Sequence, residues 1–113
     1  MHFLCYDHEI KNGSSKEFEI NNKKFFAVKK NNQTFLYINK CPHAGLPLNW
    51  QEDKFLDYDG ELILCSSHGA LFKIETGKCV AGPCSGKSLA QIPFEIENGR
   101  LSITESVVDN LVR

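Results

Sequence analysis

The chain has 113 residues, 42% of them apolar and 24% charged, and a formal net charge of −1 at pH 7, which leaves room for one domain with a modest core. That balance provides no basic face for nucleic acid, and no run of about 18 apolar residues is present to cross a membrane. The opening Met1-His2-Phe3-Leu4-Cys5-Tyr6-Asp7 lacks the positive start and long apolar stretch of an export signal, so a cytoplasmic protein is expected, with its five cysteines mostly reduced.

The elements expected along the chain are short strands. Glu17-Phe18-Glu19-Ile20 alternates polar and apolar residues, the period of a half-buried strand. Lys24-Phe25-Phe26-Ala27-Val28 and Thr34-Phe35-Leu36-Tyr37-Ile38 are β-rich runs on either side of a polar turn, Lys29 to Gln33. Asp59-Gly60 separates Phe55-Leu56-Asp57-Tyr58 from Glu61-Leu62-Ile63-Leu64. Asn98-Gly99 separates Phe94-Glu95-Ile96-Glu97 from Arg100-Leu101-Ser102-Ile103. Asx-Gly between apolar runs is a strong hairpin signal because both residues tolerate positive φ. Thr76-Gly77 makes a weaker turn between Leu71-Phe72-Lys73-Ile74 and Lys78-Cys79-Val80. The tail, 105–113, either forms a short helix or frays. These runs make residues 1–113 a single all-β domain, a small sandwich or barrel.

Two stretches break the strand pattern. Cys41-Pro42-His43-Ala44-Gly45-Leu46-Pro47-Leu48 and Cys65-Ser66-Ser67-His68-Gly69-Ala70 each follow a β-rich run, and each carries one Cys and one His. The pattern is C-x-H, 21 residues, then C-x-x-H. Two thiolates and two imidazoles suit zinc or an iron–sulfur centre rather than magnesium or calcium. A structural zinc site usually groups its cysteines in one knuckle and its histidines in another. One of each per loop is instead what a dinuclear site needs if one iron takes both cysteines and the other both histidines. Pro42 and Pro47 stiffen the first loop, and Gly45 and Gly69 let backbone approach the centre without a Cβ. A third loop, Gly82-Pro83-Cys84-Ser85-Gly86-Lys87, follows later. Cys5, Cys79 and Cys84 are read as bland by default, Cys79 as a core residue, with a Cys79–Cys84 disulfide as the minor reading. Glu52, Asp53, Asp57, Asp59 and Glu61 are read as a solvated face.

With these boxes the chain resembles a Rieske-type [2Fe–2S] ferredoxin. Cys41-Pro42-His43 and Cys65-Ser66-Ser67-His68-Gly69 match that family's two ligand boxes, and Gly77-Lys78-Cys79-Val80-Ala81-Gly82-Pro83 resembles the lead into its proline loop. The 21-residue gap is longer than is usual there. The resemblance implies a fold of three small antiparallel sheets with one [2Fe–2S] cluster held by two loops at one tip. Cys41, His43, Cys65 and His68 would be its ligands. It also implies a one-electron carrier rather than an enzyme, a monomer making transient contacts with a flavin-dependent reductase and with a terminal oxygenase or other oxidoreductase. The alternative is a small subunit of a larger enzyme, as in assimilatory nitrite reductase, and a structural zinc module ranks below both.

High-potential Rieske proteins of respiratory complexes carry a disulfide between the ligand loops, and Ser and Tyr hydroxyls on the cluster sulfurs. The matching positions here are Leu46 and Ser67, and Ala70 and Phe72. Without those donors a low potential is expected. Leu46, Pro47, Leu48, Trp50, Ala70 and Pro83 are expected to form an apolar collar around the two histidines.

Overall fold

The computed structural model describes residues 1–40, 48–49, 53–65, 69–83 and 86–111. Its strands are β1 (His2–Tyr6), β2 (Ser14–Ile20), β3 (Lys23–Lys30), β4 (Gln33–Ile38), β5 (Leu62–Leu64), β6 (Leu71–Lys73), β7 (Cys79–Ala81), β8 (Glu95–Glu97) and β9 (Arg100–Ile103), followed by the short helix α1 (Glu105–Asp109). They form three antiparallel three-stranded sheets, β1-β9-β8, β2-β3-β4 and β5-β6-β7. The sandwich-or-barrel expectation thus resolves into the three-sheet arrangement that the family resemblance implies.

The β2-β3-β4 sheet is covered on both faces, which explains why β3 is continuously apolar where a half-buried strand would alternate. Phe26 and Val28 point into one buried cluster, with Tyr37, Phe55, Ile63 and Phe72. Phe25 and Ala27 point into the other, with Leu36, Ile38, Leu101 and Ile103 under the β1-β9-β8 sheet. In the first cluster the Phe26 and Phe55 rings stack at 4.1 Å, and the Tyr37 hydroxyl donates to the Ile74 carbonyl. Burial, with the Glu75 charge adding to it, pushes the Tyr37 phenol up to about 12, so it stays a donor.

Turns close these strands where Asx residues accept positive φ. Asn21-Asn22 and Asn31-Asn32 join β2, β3 and β4 with φ between 53° and 65°, and Asn98-Gly99 joins β8 and β9 with φ of 54° and 77°. The expected five-residue polar turn is thereby shortened to Asn31-Asn32, because β3 runs on to Lys30. Lys29, 7% exposed, is tolerated there because its ammonium reaches the Asp7 carboxylate at 2.9 Å. Burial raises the Asp7 carboxyl, but hydrogen bonds from Thr34 and Lys29 and the Lys29 charge outweigh it and hold the group below its ordinary value.

The hairpin around Asp59-Gly60 is looser than its sequence suggests. Phe55–Tyr58 makes no strand. It contributes one isolated bridge, Leu56 to Ile63, and the Leu64 amide bonds the Phe55 carbonyl at 2.8 Å. Asp57, expected on a solvated face, is half-buried, and its carboxylate accepts from the Glu61 and Leu62 amides. Glu61 in turn pairs with Lys30, which also holds Glu75 at 3.2 Å. In the tail α1 is capped by Thr104, whose hydroxyl accepts from the Val107 amide, as an N-cap should.

Candidate metal centre

The bases of all three loops meet on one apolar cluster. Leu48 closes the first loop, Cys65 and Ala70 flank the second, and Cys79 and Leu89 flank the third. All five belong to the same buried cluster with Phe26, Phe55, Ile63 and Phe72. The described bases of the loops therefore rest on a floor supplied by two sheets.

Of the four expected ligands, Cys65 is described; Cys41, His43 and His68 lie outside the described residues, as do Leu46, Pro47, Trp50, Ser67 and Cys84. Cys65 directly follows β5 and is fully buried. Its amide donates to the Ala70 carbonyl at 2.9 Å, and its carbonyl accepts from the Gly69 amide at 2.8 Å. Both backbone groups are committed inside the loop, which fixes the Cα of a residue whose thiolate is a soft donor of the kind that iron or zinc takes. Gly69 turns the chain back with φ of +70°, a conformation that costs a residue bearing a Cβ about 1–2 kcal/mol. Among the described residues no three His, Cys, Asp or Glu side chains converge.

The first loop is tied down by residues that its sequence motif does not include. Asn39, 6% exposed, lies just before it. The Asn39 side-chain oxygen accepts from the Leu48 amide at 2.8 Å, and its amide donates to Asn49 at 3.0 Å. Asn49 passes the link on to Glu17 of β2. One buried side chain thus joins the two ends of the loop. Further along, Asp53 accepts from the Glu17 amide, and its carbonyl accepts from the Ser15 hydroxyl. The only sequence signal for this clamp is a polar Asn on each side of the loop, at positions 39 and 49.

The third loop is closed at its base, where the Cys79 amide donates to the Lys87 carbonyl at 2.9 Å and Lys78 bridges Ser88. It packs on the second loop backbone to backbone: a Cβ added at Gly82, whose φ is +96°, would lie 2.8 Å from the Ala70 Cα. Cys79 is buried in the core cluster, as its sequence reading expects, and its sulfur is disulfide-bonded, which corrects the default reading of a bland thiol. Its sulfur lies 3.3 Å from the Ala81 carbonyl, a contact without a proton, because a disulfide sulfur has none to donate.

The expected apolar collar is corrected at two of its members. Leu48 and Ala70 are fully buried in the floor of the loops, drawn there by Asn39 and by the Cys65 backbone bonds, and present no surface. Pro83 is exposed.

Comparison with known proteins gives one consistent picture. The profile of the Rieske [2Fe-2S] domain matches residues 1–99. The cytochrome b6-f complex iron-sulfur subunit of Chlorobaculum thiosulfatiphilum is 31% identical over 98 residues, covering 87% of this chain and 50% of that protein. The chain thus spans about half the length of the curated relatives it matches. Among solved structures, the Sphingomonas yanoikuyae B1 ferredoxin is similar at 26% identity with a TM-score of 0.71, covering 91% of this chain and 96% of that one. The ferredoxin of carbazole 1,9a-dioxygenase from Nocardioides aromaticivorans IC177 shares the fold, at 19% identity and a TM-score of 0.69 over 90% of this chain and 93% of that one.

Proposed function

The chain belongs to the Rieske [2Fe-2S] domain family, whose domain binds one [2Fe–2S] cluster, and from that premise we propose that residues 1–113 act as a one-electron carrier between a flavin-dependent reductase and a terminal oxygenase. In this reading Cys41 and Cys65 hold one iron and His43 and His68 the other, the ligand set that defines a Rieske centre. The cluster supplies the reversible acceptance of one electron. The chain's own residues hold it: the Cys65 hairpin presents a fixed sulfur, Asn39 closes the first loop, and Gly82 lets the third loop lie on the second. The observation that carries the reading is the convergence on one core of the loop bases that flank the two Cys-His boxes in sequence.

The carrier role draws support from neighbours of matching length, since the ferredoxins that share this fold are covered over 93% and 96% of their chains. One solved neighbour is a complex of reduced oxygenase and oxidized ferredoxin in carbazole 1,9a-dioxygenase, which is the kind of partner the proposal names. The rival reading, a bound subunit, draws on the outer face of the β1-β9-β8 sheet. There Phe3, Tyr6 and Ile96 are exposed, with the Arg100 guanidinium 4.3 Å from the Phe3 ring centre.

A reductase-coupled assay separates the two readings. With NADH, the flavin reductase of a ring-hydroxylating dioxygenase system and cytochrome c as terminal acceptor, cytochrome c reduction should rise in proportion to added protein. A cluster that dithionite reduces but the reductase does not would move the protein to the subunit reading.

A further inference from the structure

The sequence holds two Asn-Gly pairs, Asn12-Gly13 and Asn98-Gly99, and the fold treats them oppositely. Asn followed by Gly is the pair in which the next backbone nitrogen reaches the side-chain amide carbon most readily, because glycine has no side chain to block the approach. At Asn12-Gly13 both reacting groups are occupied. The Asn12 side-chain nitrogen donates to Asn32 at 2.8 Å, and its oxygen accepts from the Asn32 backbone amide at 2.8 Å. The Gly13 amide donates to the Lys29 carbonyl at 2.8 Å. At Asn98-Gly99, among the described residues, neither the Asn98 side chain nor the Gly99 amide has a partner. Only the Gly99 carbonyl is bonded, by the Asp7 amide at 2.8 Å. We infer that Asn98 is a site of spontaneous modification, at which the folded protein deamidates while Asn12 is spared.

The reaction uses the chain's own atoms and water. The Gly99 nitrogen attacks Asn98 Cγ and gives up its proton, the Cγ–Nδ2 bond breaks, and ammonia leaves behind a cyclic imide. Water then opens the ring at either carbonyl, which leaves an aspartyl or an isoaspartyl residue at position 98. No electrons are exchanged. The left-handed turn, with Asn98 at φ of 54°, holds the nitrogen away from the side-chain carbon, so the hairpin opens before the attack. That opening is local: β8 is an edge strand of three residues, residues 95–100 are all exposed, and a Cβ built at Gly99 meets nothing within 4 Å. Exposed edge segments of this kind open at a far lower cost than global unfolding. At Asn12 the same step must also break the bonds to Asn32 and Lys29.

The change falls on the sheet remote from the loop bases. The β1-β9-β8 sheet covers one buried cluster, and the loop bases sit on the other. Asn98 lines a hollow of about 190 Å³ together with Met1, Glu95, Glu97, Arg100 and Ser102. A carboxylate formed at position 98 joins two others there and makes the formal net charge of −1 more negative by one unit. The inference does not rest on the cluster reading, and its failure would leave that reading as it stands.

Trypsin separates the two pairs: cleavage after Lys11, Lys16, Lys87 and Arg100 releases residues 12–16 and 88–100 as single peptides. The full-length protein is aged in mildly alkaline buffer, either folded or in urea, and then digested. Mass spectrometry follows the amide-to-acid change in each peptide, and a protein isoaspartyl methyltransferase counts the isoaspartyl product. In the folded protein the 88–100 peptide should convert at least about tenfold faster than the 12–16 peptide, the factor that about 1.4 kcal/mol of additional opening free energy produces. In urea, where the hydrogen bonds around Asn12 are gone, the two rates should converge. Equal rates in the folded protein, faster conversion of the 12–16 peptide, or an 88–100 peptide that stays intact in the folded sample while it converts in urea would overturn the inference. So would a rate ratio in urea as large as in the folded protein, since the difference would then come from neighbouring sequence and not from the fold.

Discussion

Cys65→Ser is expected to yield a folded chain that holds almost no iron. The wild-type protein should contain about two irons per chain and absorb in the visible. The variant should fall below about a tenth of that iron content and be colourless, because a serine hydroxyl is a hard, protonated oxygen where the site needs a soft thiolate. The backbone should survive the change. The bonds that fix residue 65 run through its own amide and carbonyl, to Ala70 and Gly69, and the β5-β6-β7 sheet pairs on either side of them. Placing a hydroxyl in the apolar cluster around Phe26, Ile63 and Phe72 costs about 1–3 kcal/mol, within the total stability of about 5–15 kcal/mol typical of such domains. Far-ultraviolet circular dichroism checks the fold, and iron analysis checks the site. Full iron retention in a folded variant would remove Cys65 from the ligand set.

The second large effect concerns the potential. Replacing two thiolates by neutral imidazoles makes an electron easier to add and lifts such clusters from about −400 mV into a range of about −150 to +300 mV. Hydrogen bonds to the sulfurs decide the place within that range. Here the two described positions that would carry hydroxyls in a high-potential site are the Ala70 methyl and the Phe72 ring, both fully buried. A midpoint on the order of −150 mV is therefore expected near pH 7. Protein-film voltammetry should find it, and a value above about +100 mV would mean that other groups donate to the sulfurs. Phe72→Tyr adds the missing donor within the same core. If the new hydroxyl favours the reduced cluster by about 1.4 kcal/mol, the midpoint rises by about 59 mV. An unchanged midpoint would show that the ring points its edge away from the cluster.

What the sequence reveals of this fold depends on how local the cause is. The hairpin at Asn98-Gly99 is legible because two adjacent residues impose it through positive φ. The two Cys-His boxes are legible because their spacing is a few residues. β1 is not read as a strand, because its partner β9 lies about a hundred positions away and five residues carry no clear alternation. The double burial of β3 is hidden for a similar reason: Phe25-Phe26-Ala27-Val28 reads as a strand, but which side faces which core depends on two other sheets. Leu48 looks like a surface residue of the first loop until Asn39 is seen to draw it inward. For Cys79 the disulfide is only the minor reading, because composition and the lack of an export signal favour reduced cysteines.

The central claim is one [2Fe–2S] cluster with mixed cysteine and histidine ligation acting as a one-electron centre. The EPR spectrum of the dithionite-reduced wild-type protein tests it most directly. One signal integrating to about one spin per chain is predicted, with an average g below that of all-cysteine clusters because nitrogen ligands surround the ferrous site. A spectrum with the average g of an all-cysteine cluster, or an EPR-silent and colourless protein carrying stoichiometric zinc, would contradict the account.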